Sequence, residues 1–183
     1  MELDFEIDKI TESIENAETG ASLDTLVLPV TKADLEVLTQ KNGWLFDWKF
    51  EYDQKERQVY KLVVEQKPQI IHGLVSLEKR TGHVFMTLIE NAPFNIGKEK
   101  KYLGVACNLT AYCCKLSLEY GFGGVVAFDA KNALIPHYEK TLGAVRIGEK
   151  RMAVMEDRAM FLLEKYFPKE ALIYSIENKS VLL

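Results

Sequence analysis

What the chain lacks narrows its class before any motif is considered. Its three cysteines, Cys107, Cys113 and Cys114, are odd in number, two are adjacent, and none stands at ligand spacing from a histidine. Neither a disulfide framework nor a zinc site is expected, and buried reduced thiols are. The three histidines, His72, His83 and His137, are dispersed with no repeat at metal spacing, and no nucleophile elbow joins a Ser, His, Asp order. No apolar run approaches the length that crosses a bilayer. The opening Met1, Glu2, Leu3, Asp4 has the wrong charge for a signal peptide, so a cytoplasmic protein without a membrane partner is expected. No internal repeat, low-complexity tract or linker divides the sequence.

The 183 residues are 48% hydrophobic, enough for one domain, 1–183, with a sizeable core. The net charge of -4 is unevenly placed. Residues 1–30 carry eight acids against Lys9, a net of -7, which leaves +3 for residues 31–183. A balance of +3 is too small for a clustered nucleic-acid footprint, yet it suits a small polyanionic ligand.

Taken in order, the acidic segment 1–20 contains Ile7, Ile10 and Ile14 at helical spacing, which predicts an amphipathic helix over 4–16. Leu26–Val30 reads as a strand, and Thr31 with Asp34 as a capping box opening a helix that Gly43 stops. Trp44–Tyr52 and Gln58–Glu65 alternate apolar and polar residues about a charged turn and predict a hairpin. Pro68 should end the second strand before another begins at Ile70, and Thr81-Gly82 turns the chain into a strand at His83.

Beyond residue 90 the pattern changes from antiparallel to crossover. A strand from His83 to Glu90, a helix from Gly104 to Tyr120 and a non-alternating strand, Val125–Phe128, predict a parallel pair joined by a helix on one face. Such a unit leaves a helix N-terminus beside a strand end, where free amides and the helix dipole favour an anion. A helix from about Asn132 to Leu142, a hairpin about Gly148, a C-terminal helix through Tyr166 and an edge strand at Leu172–Ile176 complete the reading.

This order of elements, with two short motifs, resembles the GCN5-related N-acetyltransferase (GNAT) family. The likeness extends as a layout over roughly 26–167 and is sharpest between Leu88 and Ala144. Lys101-Tyr102-Leu103-Gly104-Val105-Ala106 resembles the family's phosphate loop, with Lys101 where Gln or Arg is usual. Tyr138, Glu139, Lys140, Gly143 and Ala144 resemble its second motif, with one extra residue before Gly143 and with Lys131 or Asn132 at the Asn position.

The resemblance implies an α/β (mixed α+β) acyl-CoA N-acyltransferase fold. Its central sheet would be mixed but mostly antiparallel, with a splayed parallel strand pair and flanking helices. It implies acetyl-CoA as cofactor, held within 83–144 by Leu88, Ile89, Lys101, Tyr102, Leu103, Gly104, Val105, Ala106 and Asn132. Gly104 and Ala106 would let a diphosphate approach the backbone amides closely. A small-molecule or peptide amine would attack the thioester directly, a backbone amide near Ile89 would polarise the carbonyl, and Tyr138 would protonate the departing thiolate. Glu90, Glu78 and Asp129 are the candidate bases, Glu90 first. Cys107, just inside the helix, could have a depressed pKa from the dipole.

Glu12, Glu15 or Glu51 could recognise a cationic acceptor in a pocket built from residues 1–52 and the hairpin near Gly148. The alternatives are a non-catalytic module of the same fold binding CoA or a protein, and an acyltransferase acting on charged RNA, with nucleic acid the less favoured partner. Dimerisation through the C-terminal strand is a further expectation.

Overall fold

The computed structural model describes residues 1–180, the last three by their backbone. Three short strands come early: β1 (Ile14–Asn16), β2 (Ser22–Leu23) and β3 (Thr25–Pro29), followed by helix α1 (Trp48–Asp53). The central meander is β4 (Arg57–Val64), β5 (Lys67–Arg80) and β6 (His83–Asn91). Then come β7 (Tyr102–Leu103), helix α2 (Val105–Glu119), β8 (Val126–Asp129), helix α3 (Ile135–Thr141), β9 (Val145–Arg146) and β10 (Arg151–Val154). Helices α4 (Glu156–Tyr166) and α5 (Pro168–Ser180) end the chain.

Seven strands form one sheet in the order β3-β4-β5-β6-β8-β10-β9, and β2-β1-β7 form a second, small one. All pairings in the large sheet are antiparallel except β6 with β8. The fold expected from the sequence, a mostly antiparallel sheet with one parallel pair, is therefore present. Helix α2 lies on β5 and β6 and against α4. The approach is close: a Cβ at Gly73 would come within 2.6 Å of Val105 Cγ1. The other face is closed by α1 and the turns before it, where Trp44 and Trp48 pack with Leu74 and Leu88.

The parallel pair is short. β6 and β8 pair only at Val84 with Val126 and at Phe85 with Ala127. Immediately afterwards Ser76 pairs with Leu88 and Leu77 with Met86, so Thr87 is an extra residue on β6. A bulge bends and twists the strand that carries it. Here it turns β6 away from β8 and opens a gap between them.

Five local expectations are corrected. Residues 4–13 form no helix: Leu3, Phe5 and Ile7 are buried while Asp4 and Glu6 are exposed, a period of two over 3–7 that outcompetes the helical spacing of the isoleucines. The stretch from Trp44 forms α1 instead of a strand, because Asp47 accepts from the Phe50 N–H at 2.9 Å and caps it. Thr31 and Asp34 do bond reciprocally, but they open only the single turn Asp34–Glu36. Pro68 does not precede β5 but sits in its exposed first residues. Leu172–Ile176 belong to α5, so dimerisation through a strand there has no strand to use. No helix among the described residues is long and apolar enough to cross a membrane.

Candidate active site

The gap between β6 and β8 is lined by the chain's own first residues. On β8 the odd-numbered residues turn their main-chain groups towards β6, as the bond from the Val84 N–H to the Val125 carbonyl requires. On that same edge the Leu3 N–H donates to the Asp129 carbonyl at 2.6 Å and the Lys131 N–H to the Leu3 carbonyl at 3.3 Å. Leu3 thus makes a parallel bridge with Ala130, on the side where β6 would have continued.

From there residues 3–8 run outward as a strap. The Tyr138 O–H donates to the Phe5 carbonyl at 2.8 Å and accepts from the Phe5 N–H at 3.3 Å. The Ile7 N–H donates to His137 Nε2 at 2.8 Å. Asp8 reaches the open end of α2, where its Oδ1 accepts from the Gly104 N–H at 3.0 Å and its Oδ2 lies 3.4 Å from Lys100 Nζ. Further on, the Thr11 N–H donates to the Tyr166 hydroxyl at 2.9 Å.

Lys101–Ala106 takes the form expected of it at one end and not at the other. Gly104 stands at φ +84° immediately before α2, a left-handed conformation that glycine adopts without strain. Its missing Cβ makes room for Thr11 and the Ser13 carbonyl, which would both collide with a side chain there. Tyr102 and Leu103 form β7, paired with β1 at Asn16 and Glu15. Lys101 is exposed, and with Lys98 and Lys100 it borders a surface depression of about 700 Å³. The amides of Val105, Ala106 and Cys107 begin α2 and have no partner within the helix.

Across the strap, Asp4–Glu6 face Ile89, Glu90, Asn91 and Asn95 over a cavity of about 290 Å³. Leu88 and Ile89 pack their side chains into different cores, so only their main chain faces the gap. Asn95 donates through Nδ2 to the His72 carbonyl at 3.2 Å, which leaves its buried Oδ1 without a partner; Asn91 Oδ1 is likewise unpaired. Asn132 sits exposed in the turn before α3, away from these groups.

The three candidate bases separate by environment. Burial raises the Glu90 carboxyl above its ordinary pKa against the opposing effect of three donors, Leu45 N–H and Trp48 Nε1–H, both at 2.6 Å, and Phe46 N–H. Burial acts on Glu78 too, but the guanidiniums of Arg80 and Arg57 outweigh it and hold that carboxyl low. Asp129 is lowered by the hydrogen bonds from Arg151, which grips both its oxygens. Glu90 alone of the three has no cationic partner.

Cys107 is corrected: burial pushes its thiol up to about 11 instead of leaving it depressed. Glu51, offered for a cationic acceptor, is buried and bound to Arg57 at 2.6 Å, and Glu15 is bound to Lys9 at 2.6 Å. An open cavity of about 680 Å³, with Lys131, Lys150 and Arg151 among its lining, lies between residues 1–4, Phe46 and the hairpin. It is bordered by Glu2, Asp4, Phe46, Asp129 and Glu149. Sequence reasoning missed Asp8, Phe5 and His137 as parts of the site. The alternation Leu3, Phe5, Ile7 was the available signal.

No protein-family model and no curated protein sequence matches the chain. Solved structures do match it. The spermidine/spermine N-acetyltransferase SpeG from Vibrio cholerae, in mutant form, superposes with a TM-score of 0.52 at 16% identity, over 75% of this chain and 97% of that one. AtaTR bound with acetyl-CoA gives 0.50 at 17% identity, over 76% and 98%. The KacTA–DNA complex gives 0.50 at 11% identity, over 76% and 98%. The structural neighbours include acetyltransferases of the GCN5-related fold, and this chain has that fold.

Proposed function

We propose that the chain is an acetyl-CoA-dependent N-acyltransferase that moves an acetyl group directly onto an amine. One observation carries the reading: the bulged divergence of β6 from β8, with the open end of α2 at its mouth and Tyr138 reaching into it. The residues present fit acetyl-CoA in kind. The unpaired amides of Val105–Cys107 and the lysines around the 700 Å³ depression suit its phosphates. Asn91 and Asn95, with free acceptors beside Ile89, suit amide N–H groups of its pantetheine arm.

When bound, acetyl-CoA would supply the thioester that acylates the amine. The main-chain N–H at Ile89 stabilises the oxygen of the thioester carbonyl. Glu90, desolvated and without a cation to hold it ionised, takes the proton of the ammonium. The Tyr138 phenol, kept neutral because burial raises its pKa, donates its proton to the leaving thiolate. The acceptor enters from the mixed-charge cavity at Glu2, Asp4, Lys131, Glu149 and Lys150. Nucleic acid stays outside this reading, and no retention is expected in a gel shift at low salt.

A second reading is favoured by a specific observation. Tyr138 and Gly104 already bond to the chain itself, which also suits a non-catalytic module of the same fold. Calorimetry with acetyl-CoA and CoA tests the first. Binding followed by thiol release with an amine supports it, and no heat up to millimolar concentration overturns it.

A further inference from the structure

We propose that residues 3–8 are an intramolecular stand-in for acyl-CoA, and that this strap must leave before the cofactor can enter. The inference rests on the acyltransferase reading and adds a regulation to its site. Three of the ties along the strap fall on groups that reading needs, the Tyr138 hydroxyl on Phe5, the Gly104 N–H and Lys100 on Asp8, and the free edge of β8 on Leu3, while the bond from Ile7 to His137 only anchors it.

The strap also copies the character of what it excludes. Its side chains alternate, with Leu3, Phe5 and Ile7 buried in the main core and Asp4 and Glu6 exposed. At the helix end it places a carboxylate on an amide and a lysine, the partners a diphosphate would take. Asp4 pairs with Lys131 at the surface, and Glu2, just before the strap, with Lys150 at 2.5 Å. Gly104 reinforces the point, because its bare Cα is spent on close approach by Thr11 and Ser13.

The strap can leave without unfolding the sheet behind it. β1 is held on both sides, by β2 and β7, and Thr11 by Tyr166, so residues 11–16 stay while 3–8 swing about the exposed Lys9. Strap and acyl-CoA are then mutually exclusive occupants. Apparent affinity for the cofactor is the intrinsic affinity reduced by the fraction of molecules with the strap out.

Calorimetric titration of acetyl-CoA into the full chain, a chain lacking residues 2–8, and Asp8→Ala tests this. The truncated chain should bind at least about tenfold more tightly and Asp8→Ala should lie between. Hydrogen exchange supplies a readout that survives a poorly folding truncation: the amides of Leu3, Phe5 and Ile7 are protected in the free full chain and lose protection on adding acetyl-CoA. Equal affinities, or strap amides still protected at saturating acetyl-CoA, overturn the proposal and leave the acyltransferase reading standing. Failure of every form to bind overturns both.

Discussion

Tyr138 and Phe5 are 133 positions apart and hold each other at two points, the phenol donating to the Phe5 carbonyl and accepting from its N–H. Their rings also pack, with centroids 5.2 Å apart. A fully buried tyrosine usually needs a partner for its hydroxyl, and here the first strand-like residues of the chain provide it. Tyr138→Phe separates tether from acid. Leaving the Phe5 amide and carbonyl unpaired costs about 1–3 kcal/mol, felt first as release of the strap. Acetyl-CoA binding should be kept or improved, while turnover falls by about 10²–10⁴, the usual worth of a positioned acid. Turnover unchanged in Tyr138→Phe, measured alongside binding, would leave Tyr138 as a tether only.

Glu90 gives a pH signature. Its folded pKa is raised by burial, so between the ordinary carboxyl value of 4.5 and that raised value the folded state binds more proton than the unfolded one. Stability linked to Glu90 is therefore full below 4.5 and declines as pH rises through the raised pKa. Activity runs the other way, because only the carboxylate accepts a proton. The acid limb of kcat/KM against pH is expected above 4.5, and Glu90→Gln should abolish that limb while lowering the rate by about 10²–10⁴. An acid limb retained in Glu90→Gln would assign the base elsewhere.

The parallel pair, α2 and the glycine before it were legible in the sequence because each is set by local signals: a non-alternating apolar run, a helical stripe and a small-residue turn. α1 was misread because Trp44, Phe46, Trp48, Phe50 and Tyr52 alternate like a strand, and the single cap at Asp47 decided otherwise. The strap was misread because Ile7, Ile10 and Ile14 offered one period and Leu3, Phe5 and Ile7 another. Which one wins depends on the gap that awaits the chain, and that gap comes from a bulge at Thr87 with no sequence signature of its own. Asp8 as a partner of Gly104 likewise depends on tertiary approach across 96 positions.

The thiols should be silent. Burial holds Cys107 up at about 11 and Cys113 at about 12, and raises Cys114 as well. Thiolate is the reactive form, so alkylation of the folded protein at pH 8 should label none of the three within the time that labels all three in denaturant. Mass spectrometry of the two reactions checks this. Rapid labelling of Cys107 in the folded chain, with loss of turnover, would reopen a nucleophilic role for it.

His72 sets the acid limit of the fold. It is buried with no partner at Nδ1, edge-on to Tyr102 at 4.7 Å and Phe94 at 5.4 Å, and burial lowers its pKa from 6.5 to about 4. Above 6.5 the ring is neutral in both states and costs nothing. As pH falls from 6.5 to about 4 the unfolded chain gains a proton that the folded one refuses, so stability drops across that window. At 1.36 kcal/mol per unit the loss is about 3 kcal/mol at most. Urea midpoints of the wild type should therefore fall between pH 7 and pH 5, and His72→Phe, similar in shape and unable to titrate, should flatten that fall. The carbonyl of residue 72, which receives Ala92 and Asn95, is unaffected by the change, so the turn beneath the 290 Å³ cavity is retained. An equally steep fall in the variant would place the acid sensitivity at other groups.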